Sequence, residues 1–115
     1  MSQYQQIRVR IEPVYKDGLA KAFPKLQALL SQVDNRLIKE SPPLYDLVPT
    51  LVLLSQRQDL PDKVGETISR LGQPVVRLRM QIEEAIAGWR LAAAEKFLND
   101  LEDAFKALED ALPGR

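Results

Sequence analysis

The fold class this sequence predicts is an all-α helical bundle of four to five helices, with a long C-terminal helix and a short extended N-terminal arm. Three observations carry that expectation. Apolar residues recur at helical spacing from Leu19 onward, prolines stand where helices would begin, and period-two alternation is confined to residues 7–11. The chain has 115 residues, a length that suits one domain with a modest core.

In the arm, Ile7, Val9 and Ile11 alternate with Arg8, Arg10 and Glu12, which puts β-branched residues on one face and charges on the other. A single strand leaves its edge N–H and C=O groups without partners. Residues 1–13 are therefore an extended arm packed on a helix, or a strand paired with the same segment of a second chain.

From Asp17 the period becomes helical. Leu19, Phe23, Leu26, Leu29, Leu30, Val33 and Leu37 form an apolar stripe over 17–40, with a kink or restart at Pro24. Glu40-Ser41-Pro42-Pro43 ends it, because a residue before proline avoids the helical region. The next helix, 46–58, is expected to start from Asp46 as N-cap with Pro49 in its first turn. Leu47, Val48, Leu51, Val52 and Leu54 make it apolar on more than one face, which suits the middle of a bundle. Over 60–72, Asp59 is the expected cap, and Val64, Ile68 and Leu71 share a face. Gly72 then suits a left-handed C-terminal position, with Pro74 opening the following helix.

From Pro74 to Leu112 the apolar positions Val75, Leu78, Ile82, Ile86, Trp89, Ala93, Phe97, Leu101, Phe105, Leu108 and Leu112 recur without an interior proline. A single helix over 74–112 would extend roughly 58 Å at 1.5 Å per residue. A compact domain of this size is only about 35 Å across. Either the helix breaks, with Gly88 its weak interior point, or it overhangs and is covered by another chain; the uninterrupted stripe favours the unbroken helix. Apolar positions that the chain itself cannot cover then make Trp89, Phe97, Leu101, Phe105, Leu108 and Leu112 the expected partner-binding face, in coiled-coil-like contact within a homodimer.

The sixteen basic and sixteen acidic residues cancel, yet they are unevenly placed. Residues 1–40 carry a net +3, 41–79 a net +1 and 80–115 a net −4. Acidic groups near a helix C-terminus oppose its dipole, so the final turns should fray unless something basic covers them. That surface is expected on a partner, or on the basic N-terminal region of a dimer mate.

The chain contains no cysteine and no histidine. Disulfides, Cys/His zinc sites, Cys- or His-ligated haem, iron–sulfur clusters, thiol nucleophiles and Ser–His–Asp triads are thereby excluded. The five glycines are scattered singly, so no phosphate-cradling loop is present, and no calcium-loop spacing occurs. Carboxylates lie on the polar faces of amphipathic helices, where burial that would raise a pKa is not expected. No catalytic, cofactor-binding or metal-ligating residue is assigned, and enzyme activity is not expected. Met1 to Gln6 lack a basic-then-apolar signal layout, and the most apolar run, Leu51 to Leu54, is far too short to span a bilayer. A cytoplasmic protein is the expectation.

On a paired ribbon, Arg8 and Arg10 would project together from one face with Gln6 in line, and a two-stranded ribbon fits the DNA major groove, where Arg reads guanine. The layout over residues 6–40 resembles the ribbon-helix-helix repressors and plasmid partition adaptors. That resemblance implies a dimeric DNA-binding regulator with Arg8 and Arg10 on the bases. The sequence departs from the pattern at Pro24 and in its strongly apolar second helix. The leading expectation is a non-enzymatic protein–protein interaction module, an adaptor, chaperone-like or regulatory subunit that works by helix packing.

Overall fold

A computed structural model of the chain describes Ile11, residues 18–40 and residues 42–113. The arm, including the alternation that suggested a strand, lies largely outside the described residues. Among those residues the protein is all-helical, with no strand. Five α-helices follow in order: α1 (Leu19–Ala22), α2 (Pro24–Leu30), α3 (Leu44–Ser55), α4 (Asp62–Ala87) and α5 (Leu91–Ala111). A 3-10 turn spans Asn35–Ile38 between α2 and α3.

Pro24 restarts the helix as its chemistry requires. Phe23 is forced to φ −137° and ψ 69°, and Pro24 occupies the first helical position, where its missing N–H costs nothing. The expected continuation to residue 40 does not occur, and α2 ends at Leu30. Asp34 offers the backbone a competing arrangement: its Oδ1 accepts from the Arg36 N–H at 3.1 Å and caps the 3-10 turn. Gln27 Nε2 then donates to the Leu37 carbonyl at 3.0 Å, tying that turn back to α2.

α3 begins at Leu44, two residues before the expected start, so Asp46 lies inside the first turn and does not cap it. It ends at Ser55, short of residue 58, and carries Pro49 within the helix.

Two larger corrections concern α4. Gly72 and Pro74 do not separate two helices, because one helix of 26 residues runs through both. An interior proline costs about 3 kcal/mol. Here Val64, Ile68, Val75 and Ile82 are buried on either side of it, and each buried aliphatic side chain contributes about 1.5–3 kcal/mol. Pro74 itself is exposed, on the solvent side of the helix. Gly72 continues the helix instead of ending it, buried on the side facing α3, where an added Cβ would make only ordinary contact with Leu51 Cδ2 at 3.9 Å.

The second correction is the long helix over 74–112. It is broken at residues 88–90, and α5 folds back along α4 as an antiparallel hairpin. Reversal lets the two halves of the apolar stripe bury one another, which an extended helix would not permit. The molecule measures 50 × 27 × 22 Å, shorter than the unbroken helix with its flanking chain would require.

α2 and α3 cover the hairpin. Leu26, Leu30, Leu47, Leu51, Leu54, Ile68, Ile82, Leu101, Phe105 and Leu108 are sealed from solvent in one continuous core. The rings of Phe23 and Phe105 meet edge-to-face, with centroids 6.2 Å apart.

The join between α2 and α5 answers the problem posed by the acidic C-terminus. α2 has no side-chain cap of its own. Glu109, only 8% exposed, reaches across from α5 and accepts from the Leu26 N–H at 2.9 Å and the Lys25 N–H at 3.2 Å. Lys25 Nζ in turn donates to the Leu112 carbonyl at 2.9 Å. A carboxylate badly placed for its own helix dipole is thus well placed for the start of another. The covering basic group comes from the same chain.

Glu109→Ala should lower unfolding stability by about 1–3 kcal/mol, because one buried and one half-buried N–H donor lose their acceptor. Glu109→Gln keeps one acceptor oxygen and should lose less. Urea denaturation measures both, and equal losses for the two variants would show that packing, not capping, is what the residue contributes.

Candidate functional site

Where α4 turns into α5, the Arg90 N–H donates to the Ala85 carbonyl at 2.8 Å and the Trp89 N–H to the Ile86 carbonyl at 3.0 Å. These two bonds define a Schellman ending, whose residue after the cap adopts the left-handed conformation and is most often glycine. In this chain Gly88 sits one position early, at the cap itself with φ −90°. Trp89 takes the left-handed position, at φ 57°, the one described non-glycine residue with positive φ. That conformation costs a side-chain-bearing residue roughly 1–2 kcal/mol. Burial does not compensate, for Trp89 is 52% exposed and the neighbouring Leu91 is 46% exposed. A bulky apolar side chain is held out at the tip of the hairpin against the local backbone preference.

A second apolar feature runs between α3 and α4. Two adjoining recesses of about 370 and 360 Å³ share Val52 and Val76 and so form one trough. The first lies over Gly72, Leu51 and Ile68; the second is bordered by Pro49, Leu53 and Met80. Leu53 and Met80 stand on the rim at 54% and 59% exposure. Leu53 and Met80, with Trp89 and Leu91, are the large apolar side chains most open to water among the described residues.

One end of the trough is polar. Arg79 bridges to Glu83 at 3.1 Å, Tyr45 Oη donates to Glu83 Oε1 at 3.1 Å, and the Arg79 guanidinium lies 4.8 Å from the centre of the Tyr45 ring. Arg79 Nε is buried there without a hydrogen-bond partner. Desolvation by burial, followed by the bond to Glu83, raises the Tyr45 pKa above its ordinary value.

Of the residues expected to face a partner, Leu101, Phe105, Leu108 and Leu112 are buried in the chain's own core, and Phe97 is partly buried against it. The helix reversal covers them, so the apolar excess inferred from an overhanging helix is not present at these positions. Trp89 alone of the six is exposed. Arg8 and Arg10 lie outside the described residues. Sequence reasoning missed Leu53 and Met80, which come from separate helices and meet only through packing. Among the described residues no group of three or more acidic side chains is placed to hold a metal ion, and no helix is long and apolar enough to cross a membrane.

Trp89→Gly should stabilise the fold by about 1 kcal/mol, since glycine meets the left-handed position without strain. A lower unfolding midpoint for that variant would mean the indole contributes packing that its exposure does not reveal. The neutral phenol of Tyr45 is favoured in the folded state, so its contribution is present below about pH 10 and lost as pH rises through the raised folded value. In an ultraviolet difference titration, the absorbance change missing from Tyr45→Phe should fall above that ordinary value. Loss of a change at or below it would contradict the geometry of Tyr45 and Glu83.

In comparisons with known proteins, no protein-family model matches this chain, and neither a curated protein nor a solved structure matches it.

Proposed function

We propose that this chain is a non-enzymatic protein–protein interaction module of the cytoplasm, an adaptor or regulatory subunit that binds by helix packing through the α3–α4 trough and the hairpin tip. The observation that carries this reading is Trp89. A tryptophan held in a left-handed conformation, half in water, at a position suited to glycine is expensive for folding. Strained residues of this kind persist where a function uses them. Tryptophan is also the residue type most enriched at the energetic centres of interfaces.

Supporting it, the trough offers an apolar floor with two raised apolar side chains, Leu53 and Met80, and a charged margin at Arg79 and Glu83. That combination of apolar centre and polar rim is the usual anatomy of a docking surface. The interface set moves accordingly, from the apolar stripe of α5 to Trp89, Leu91, Met80 and Leu53.

Trp89→Ala and Met80→Asp should each abolish capture of the native partner in a host extract, while far-UV circular dichroism stays unchanged. Both variants retaining the wild-type set of partners would reject this surface.

A further inference from the structure

We infer that the partner of this surface is a second copy of the same chain, docked antiparallel along α4 so that Trp89 of each copy enters the recess over Gly72 of the other. The inference rests on the docking reading above and names its partner. Its first support is charge. Arg77, Met80 and Glu84 are exposed on one side of α4, and Arg77 and Glu84 stand about two turns apart, on opposite sides of Met80. Neither has an oppositely charged residue three or four positions away, and neither forms an ion pair with another described residue. They are a positive and a negative charge at matched distances from one point on the helix.

A two-fold axis crossing α4 between Met80 and Gln81 puts Arg77 opposite the partner's Glu84, and Glu84 opposite the partner's Arg77. Closed two-fold contacts require this kind of self-complementarity. Carried along the helix axis, the same register brings Gly72 level with the partner's hairpin tip, which carries Trp89. The recess over Gly72 is lined by Leu51, Val52, Ile68 and Val76 and has a volume of about 370 Å³, ample for an indole. Charge pairing and the match of knob to hole are thus compatible with one register. A larger residue at Gly72 would fill the space the indole enters.

Sedimentation velocity of the full chain over a micromolar concentration series tests this. The wild type should form a dimer. Arg77→Glu sets like charges against each other twice per dimer and should shift the protein to monomer. The double variant Arg77→Glu, Glu84→Arg restores both pairs and should restore the dimer. Trp89→Ala should raise the dissociation constant by about thirty-fold, as expected for a central anchor. Emission from Trp89, the single tryptophan of the chain, should shift to the blue as dimer forms. Arg77→Glu dimerising like the wild type, or a double variant that stays monomeric, overturns this register. A monomeric wild type that still captures a different protein through Trp89 overturns self-association and leaves the docking surface standing.

Discussion

The reversal of the chain at residues 88–90 is the constraint on which the rest of the architecture depends. α4 and α5 each carry an apolar stripe, and only by folding back do the two stripes remove one another from water. Once the hairpin is closed, its flank presents Ile68, Val75 and Leu101 as a surface for α3 and α2 to complete. The turn that makes this possible is also where the backbone is least comfortable, at Trp89. Stability and exposure therefore meet at one residue: the element that organises the core also displays the largest open side chain.

The class of fold was legible in the sequence because helical spacing and proline placement report on local backbone preference. Pro24 was read correctly for this reason; its effect on Phe23 needs no tertiary information. Pro74 misled for the opposite reason. Its local penalty was outweighed by a stripe of buried residues on both sides, a balance set by packing. The break near Gly88 is one of two alternatives the sequence leaves open, and the stripe favours the other, since a hairpin turn of three residues hardly disturbs helical spacing. Length was the better guide: the unbroken helix was too long for the domain.

The candidate surface was harder to read. Trp89 stood out as a lone tryptophan beside a glycine, yet its spacing assigned it to the same stripe as Phe97 and Phe105. Only the backbone conformation separates it from them. Leu53 lies on a helix that is apolar on more than one face, so nothing in its neighbours marks it as exposed. Met80 lies off the stripe, and it becomes part of a trough only when α3 packs beside α4. Contacts across separate helices carry no signature in linear spacing.

The Glu109 bridge to α2 has a consequence for the order in which the protein assembles and opens. It joins residues 83 and 84 positions apart in the chain, whereas the α4–α5 hairpin is built from neighbouring segments. Loop closure makes distant contacts slow to form, so the hairpin is expected to form before α2 docks. In the reverse direction, α2 is the segment whose release breaks few backbone bonds and requires no disruption of the hairpin. Amide protons of α2 should accordingly exchange through a partial opening, ahead of those in α4 and α5, which exchange only when the whole molecule unfolds. One carboxylate thus marks the seam where a segment held by distant contacts joins a hairpin of local ones, within one core among the described residues.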